Sequence, residues 1–467
     1  MKINLHSSII HSQLTYRILL YSNIFLSCII FYAFRNLQIG DETSYLSYAE
    51  GLKHGRFSHW WFLSEYFPDT FRTPGYPVFL YLLKKISTNI YFIKYFQFLL
   101  YLLSILMIIK VAERYDSGYR LKNIFLLLLL PYIHVAVFSP TIMPETLMTF
   151  LITLYIYIDS KPISGELKYS LLGLLSGVIF LVRPVFLFFP LIHVAINLIT
   201  RRKNFTMRMG FSMLLIYFLT ILPYGLWNYK NHHVLSLTPI EGAAGVFNLG
   251  YWSFKLPGYY EDRCWSNRMS NEIISFTDFK DTSVNIKAFN QEWDFIDSSC
   301  AKYLTTYDSL TISVMNMFPH FFKTYNTEYT LYREKLIQKV TFDDIKKDFY
   351  FTVKVKLFTI MRSWVTGIQR NDLQDKRFII WAGALYFSIV SCIIFFASII
   401  LVPYAFYKRK LLWENSMTAI VLIVYYGIIH LPFAIQARYT IPLRLVLLLI
   451  LARSISGLFS KKNKIIG

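Results

Sequence analysis

Charge is what this chain has least of. Only 16% of its 467 residues are Asp, Glu, Lys or Arg, against about 25% in an ordinary soluble domain, while 55% are hydrophobic. That shortage argues against a conventional soluble fold and predicts a polytopic membrane protein. Acid is scarcer than base, with 28 Asp and Glu against 48 Lys and Arg and a net charge of +20. A nucleic-acid binder would gather such an excess on one soluble face. Here it lies in short connectors between apolar runs, as the positive residues that orient membrane helices do, so no nucleic-acid partner is expected.

Cysteine is also rare. The four present have no metal-like spacing and signal neither zinc nor an iron–sulfur cluster. Cys28 and Cys392 lie in apolar runs and read as buried packing residues. Cys264 and Cys300 lie in the one large polar region and could pair in an oxidising compartment, if distance allows. No glycine-rich nucleotide loop, P-loop or nucleophile elbow is found. No small-residue cleavage site follows the first apolar run, which therefore reads as an anchor. Internal repeats, low-complexity tracts and heptads are likewise absent by eye.

Apolar runs are plentiful. They occur at about 18–37, 91–111, 123–140, 143–158, 169–182, 184–200, 209–227, 378–407, 416–434 and 440–457, each reaching or approaching the roughly 20 residues of one crossing. The expected fold is an all-α polytopic membrane protein of about ten transmembrane helices. Basic connectors at Arg114/Arg120/Lys122, Lys161/Lys168, Arg201/Arg202/Lys203/Arg208, Lys408/Arg409/Lys410 and Lys461/Lys462/Lys464 alternate along the chain. They place both termini in the cytoplasm.

The opposite side then receives the loop 38–90, three short turns near 139–145, 183 and 438, and a segment of about 150 residues, long enough for a small domain. The division is a membrane module at 1–227, an extracytoplasmic domain at 228–377 and C-terminal helices at 378–467. Within the middle part, Ile345, Phe349, Val353, Leu357, Ile360 and Trp364 recur at helical spacing. They predict an amphipathic helix opened by Thr341 as N-cap. Lys346, Lys347, Lys354, Lys356 and Arg362 fit a helix in the bilayer interface, and packing inside a soluble subdomain is the alternative.

The loop 38–90 concentrates the chemistry. Asp41 and Glu42 begin a Tyr45, Tyr48/Ala49, Leu52 stripe, so a helix cap and first-turn anion are one reading. A carboxylate that takes a proton from a hydroxyl acceptor is the other, and the two are compatible. Glu145 after Pro144 opens a helix in the same way, or faces a cavity at the membrane boundary.

Arg72, Arg183 and Arg438 stand where orientation requires no cation. Guanidinium forks suit a lipid phosphate; snorkelling, or pairing with Asp41 or Glu145, is the plainer alternative. Pro74, Gly75, Tyr76 and Pro77 form a corner where Gly75 permits close backbone approach. Trp60, Trp61, Phe62, Tyr66, Phe67 and Phe71 read as an interfacial belt, with one or two open to a sugar or a prenyl chain. His134, His193 and His430 are expected to be buried structural residues, and His232–His233 to be a solvated pair or a metal ligand.

With these residues placed, the chain resembles the GT-C superfamily of integral-membrane glycosyltransferases, in the branch of protein O-mannosyltransferases and the lipid A aminoarabinose transferase. The resemblance is carried by Asp41-Glu42 with Tyr45 and Ala49, the run from Arg72 to Leu80, Pro144-Glu145, and Gly177 to Arg183-Pro184. Pro223 with Trp227-Asn228, and Arg438-Tyr439 with Pro442, complete it. It implies a GT-C-like bundle with juxtamembrane helices on the outer face. It also implies inverting transfer of one sugar from a polyprenyl-phosphate donor, undecaprenyl phosphate in a bacterium. The acceptor would be a cell-envelope glycan, lipid or protein at the periplasmic or extracellular face of the cytoplasmic membrane.

By matching position, the resemblance implies that Asp41 is the base, Glu42 its neighbour, and Glu145 a second acid orienting the acceptor or a metal. Arg72, Arg183 and Arg438 with Tyr439 would hold the donor phosphate, and Tyr45, Pro74, Gly75 and Tyr76 would shape the substrate loop. No cofactor is assigned, and a divalent cation stays open. The soluble C-terminal domain and the β-trefoil inserts of some relatives are missing, and residues 228–377 match no motif, which leaves the acceptor undefined. Two alternatives stand beside this reading: a polysaccharide polymerase or ligase using lipid-pyrophosphate glycans, and a glycolipid transporter, which broken helices in both halves would favour.

Overall fold

The computed structural model describes residues 11–38, 41–63, 66–163, 165–200, 205–252, 255, 282–303, 327–365, 378–408, 413–433 and 437–459. Among them every regular element is helical, and the chain is an all-α membrane protein. Five helical stretches are long and apolar enough to cross a membrane. They are α1 (Gln13–Phe34), α4 (Ile90–Tyr115), α9 (Met207–His232), Ile389–Tyr407 within α14 (Phe378–Tyr407), and Arg438–Leu458, most of which is α16 (Ile441–Leu458). Side-chain caps start the first three: Ser12 accepts from the Leu14 and Thr15 N–H groups, Asn89 from that of Tyr91 and Thr206 from that of Met209.

The remaining apolar runs form shorter pieces. Pro131 stops α5 (Arg120–Leu129), and a 3-10 turn, Ile133–Phe138, follows it. α6 (Pro144–Ser160) and α7 (Glu166–Val182) have 17 residues each. Pro184 and Pro190 divide the next run into a 3-10 turn, Pro184–Phe186, and α8 (Phe189–Ile199). α15 (Trp413–His430) is the last of these.

α16 is the centre of the bundle. Every residue from Ile441 to Ala452 is buried, as expected of a stretch that is apolar on every side except at Arg444, and the helix packs on α4, α5, α6, α14 and α15. α7 lies against α9 across two glycines, Gly173 and Gly177. A Cβ there would stand 2.2 Å from the Met213 carbonyl oxygen and 2.5 Å from Thr220 Cβ, so small residues four apart allow the close helix approach typical of membranes.

One end of the bundle carries α2 (Asp41–Lys53) and α3 (Gly75–Ile86). The corner at Pro74–Gly75 works as the sequence suggests: a Cβ on Gly75 would lie 2.5 Å from the Leu181 backbone, and Thr73 Oγ1 donates to the Val182 carbonyl at 3.2 Å. The last turn of α7 and the start of α3 are thereby locked together.

Within 228–377 stand α10 (Ala243–Trp252), α11 (Thr282–Cys300), α12 (Thr327–Lys347) and α13 (Phe349–Val365). The Glu334 carboxylate accepts from the Gly242 and Ala244 N–H groups at 3.0 and 2.9 Å, an anion at a helix N-terminus. Thr341 is not an N-cap. It lies inside α12, where its hydroxyl donates back to the Ile337 carbonyl, because the upstream Thr327–Val340 stretch is itself helix-forming. Phe349, Val353 and Leu357 share the exposed face anticipated for α13, while Trp364 turns inward.

Other expectations change on burial. Cys28 is exposed on α1 rather than packed, and Trp60 and Phe67 are buried rather than part of a belt. His193 is structural, with Nδ1 paired to the Tyr155 hydroxyl at 2.7 Å. His232 and His233 do not act as a pair: the first is buried against Thr327, and the second ends the helix with φ 54°. Cys300 is buried beside Ile296 and Tyr329, whereas Cys264 and any pairing with it lie outside the described residues.

Candidate functional site

The charged residues singled out from sequence come from five separate places and meet at one end of the bundle. Asp41 and Glu42 occupy the first turn of α2. Adjacent helical residues diverge by about 100°, and the two acids serve different neighbours.

Asp41 is gripped on both oxygens, Oδ1 by Arg72 at 3.0 Å and Oδ2 by Arg438 at 2.7 Å. Glu42 is buried on the other side, where its charge reaches Lys94 and Tyr76. Lys94 donates to the carbonyls of Arg35 and Leu37 past the end of α1, so the charge of this second acid reaches the residues that anchor α1.

Glu145 joins the first group. Pro144 and Glu145 open α6 as expected, with Pro at the first position. Arg183 donates to Glu145 Oε1 at 2.6 Å, and Arg438 Nε lies 3.8 Å from the same oxygen. Arg438 therefore bridges the two carboxylates. Arg183 is placed by the end of α7, and Arg72 by the corner that clamps onto α7. The close approach of Arg72–Gly75 to Leu181–Arg183 thus sets two of the three cations.

Aromatic rings hold the guanidinium planes. Arg72 stacks over Tyr45 and Phe71 at 4.8 and 4.6 Å, and Arg183 over Tyr439 at 5.3 Å. Tyr439 in turn stacks on His430, with centroids 5.2 Å apart. Tyr76 packs edge-on against Tyr45 at 4.9 Å. Pro74 acts at a distance, as the residue from which α3 starts.

Sequence reasoning missed Gln97. It accepts from the Tyr76 hydroxyl at 2.7 Å and donates to the Thr141 carbonyl at 2.6 Å, tying the Pro74–Gly75 corner to the turn that ends at Glu145. A fully buried amide inside an apolar run was the available signal.

Electrostatically the group is unbalanced. Among the described residues three guanidinium groups contact two carboxylates, so this group holds one more cation than anion. Burial alone would raise the Asp41 pKa, but Arg72 and Arg438 outweigh it and hold the carboxyl below its usual value. Burial pulls Arg72 down, and Tyr45 and Asp41 more than offset it. Asp41 and Arg72 keep 16% and 22% of their side-chain surface exposed, so both are open to the surface of the bundle.

Such an arrangement can bind an anion through the guanidinium forks and present an ionised carboxylate beside it. Among the described residues no three His, Cys, Asp or Glu side chains converge as metal ligands. No family model, curated protein or solved structure matches the chain.

Proposed function

We propose that the protein is an inverting glycosyltransferase that moves one sugar from a polyprenyl-phosphate carrier, undecaprenyl phosphate in a bacterium, to a cell-envelope acceptor. The observation that carries this reading is Asp41 held between Arg72 and Arg438, with the excess positive charge of the cluster beside it. In this reading the shorter apolar helices complete a bundle of about ten crossings, and residues 228–377 form a domain outside the cytoplasmic membrane. The cluster then opens on the outer face, where lipid-linked sugars and not sugar nucleotides are available.

The resting ion pairs have a chemical consequence. A carboxylate with a depressed pKa is a poor base. When the donor phosphate enters, it competes for Arg72 and Arg438. Every guanidinium contact it takes from Asp41 returns basicity to that carboxylate. The acceptor hydroxyl then attacks the anomeric carbon from the face opposite the phosphate. The new C–O bond forms as the sugar–phosphate C–O bond breaks, its electron pair leaves with the polyprenyl phosphate, and the proton passes to Asp41. The arginines stabilise the charge that develops on the leaving phosphate. Glu145 keeps Arg183 and Arg438 in register for that task.

The test compares envelope glycans, by mass, from cells carrying the wild-type gene, no gene, or Asp41→Asn. The expected result is one sugar residue present in the first and missing in the other two, with the variant protein still in the membrane. Glycans from Asp41→Asn cells that match the wild type would sink the mechanism. Products that grow by whole repeat units would favour a polymerase.

A further inference from the structure

Two contacts, among the described residues, join the segment 228–377 to the arginine cluster. Gly242, next to the start of α10, has φ 91°, which glycine adopts without strain. A Cβ there would stand 3.0 Å from Phe71 Cε2 and 3.2 Å from Cδ2, so bare backbone rests on one edge of the ring. Arg72 lies over the same ring at 4.6 Å. The Phe71 backbone is tied down separately, its N–H donating to Asp69 Oδ1 at 2.9 Å. At the second contact α13 packs on the 3-10 turn Ala437–Thr440, which carries Arg438, and the Thr440 hydroxyl donates to the Ser363 carbonyl.

Both contacts belong to one clamped unit. The Glu334 carboxylate of α12 fixes the start of α10 through the Gly242 and Ala244 N–H groups, charge-assisted bonds of the stronger kind. In the middle of α10, Asn248 donates to the Thr341 hydroxyl of α12 at 3.1 Å. In its last turn the Gly250 carbonyl accepts from Lys356 of α13 at 2.7 Å. Lys356 also reaches the Pro432 and Phe433 carbonyls, just past α15, at 3.3 and 3.4 Å. Held at its start, middle and end, α10 takes its place from α12 and α13. The arginines that this unit backs, Arg72 and Arg438, are the two that grip Asp41; Arg183, which pairs with Glu145, is set by α7.

We propose that the α10–α12–α13 unit sets the grip on Asp41, with Phe71 as the positioning residue that passes the placement of α10 to Arg72. Arg72 reaches Asp41 on a long stem, and its guanidinium lies against two rings, Tyr45 and Phe71. Tyr45 shares α2 with Asp41 and keeps its place relative to it, whereas Phe71 takes its place from Gly242. A small displacement of α10 therefore tilts the ring, and with it the guanidinium, away from the carboxylate. On the other side the Ser363–Thr440 bond holds the turn from which Arg438 reaches the second oxygen. The segment that matches no motif is thereby given a task at the site: it fixes the spacing of two cations about one anion. That this spacing governs sugar transfer rests on the transferase reading, whereas the grip on Asp41 does not.

The test is an infrared pH titration of the full-length protein in lipid nanodiscs, with Asp41 isolated by subtracting the same protein carrying Asp41→Asn. The charged groups facing Asp41 are Arg72, Arg438 and Arg183, and every variant keeps them. Burial raises this carboxyl and the arginines lower it, so a looser guanidinium must move its titration upward. Phe71→Leu, which keeps bulk but loses the aromatic face, should raise it by about half to one pH unit, the worth of one cation–π contact. Glu334→Ala, which frees the start of α10, should move it the same way by less. Phe71→Tyr, which keeps the ring, should titrate like the wild type. Melting temperatures show that each variant is folded, and Lys356→Met, which releases the other end of α10, replaces Glu334→Ala should that variant not fold. Wild-type titration in Phe71→Leu overturns the proposal. So does a shift in Phe71→Leu alone, which would leave Phe71 a local support of Arg72, or an equal shift in Phe71→Tyr. No step of the titration needs sugar transfer, so shifts as expected in a protein that moves no sugar would refute the transferase reading and leave this one standing.

Discussion

One helix, α6, carries a buried carboxylate at each end, and the two have opposite fates. Glu145, in the first turn, shares Arg183 and Arg438 with Asp41, and that group holds one more cation than anion. Asp159, in the last turn, lies against Lys168 at 3.6 Å and accepts from Thr418 at 2.7 Å, while Lys168 also donates to the Lys161 carbonyl at 3.2 Å. A carboxylate is unfavourable at a helix C-terminus and favourable at an N-terminus. Asp159 therefore needs its lysine merely to be buried, and the ion pair is neutral and formed by side chains nine positions apart. The Glu145 group draws on five distant stretches and still has charge to spare. Burial of ions does not by itself mark a functional site; an imbalance reachable from outside does.

The largest effect expected from this contrast is at Asp41. Asp41→Asn should lower transfer by about 100-fold or more, the contribution of a general base, while Asp159→Asn leaves turnover per folded molecule close to wild type. Equal losses in the two variants, measured as single-sugar transfer in membranes normalised to folded protein, would break the comparison.

Gly75→Ala comes next. The added methyl would fall 2.5 Å from the Leu181 backbone, separating Arg72 from Arg183, so transfer should fall even where the protein accumulates normally. On the stability side, Asp159→Ala should cost about 3–5 kcal/mol by stranding a buried lysine. The double change Asp159→Leu with Lys168→Met should recover most of it. Thermal unfolding in nanodiscs, followed by the fraction remaining soluble, reads both.

The pH dependence sharpens the same contrast. Arg72 and Arg438 depress the Asp41 carboxyl below 3.8, its ordinary value. The stabilisation from those ion pairs is complete above that value and is lost only as pH falls through the lower, folded-state pKa. The acidic limb of kcat/KM, which reports the free enzyme, should lie below pH 3.8. The limb of kcat should lie higher, because bound phosphate takes guanidinium contacts away from Asp41.

The smallest effect concerns residues 228–377. Burial, with Asp344 beside it, raises Glu292 to about 7. The folded state then binds the extra proton, so this part of the molecule should lose stability as pH rises from about 4.5 towards 7. Limited proteolysis at the two ends of that range measures it.

Several elements of this protein could be read in advance because their causes are local. The apolar runs, the helix opening at Pro144–Glu145, the corner at Pro74–Gly75 and the first-turn acids at Asp41–Glu42 follow from composition, proline geometry and helix electrostatics. Their boundaries were less visible: Pro131, Pro184 and Pro190 cut expected runs into shorter helices, and Thr341 fell inside α12 because the residues before it also favour helix.

By itself the sequence determined a helical membrane protein with misplaced arginines and a few acids near its helix ends. It did not determine which acid met which arginine. That Asp41 and Glu42, side by side in the chain, face Arg72 and Lys94 respectively is a matter of helix rotation. The meeting of Arg72, Arg183 and Arg438 depends on Gly75 pressing onto α7, and on α16 running through the centre of the bundle. Charges separated by up to 397 positions interact only where packing brings them within a few ångströms in a low-dielectric surrounding, and tertiary structure alone decides that.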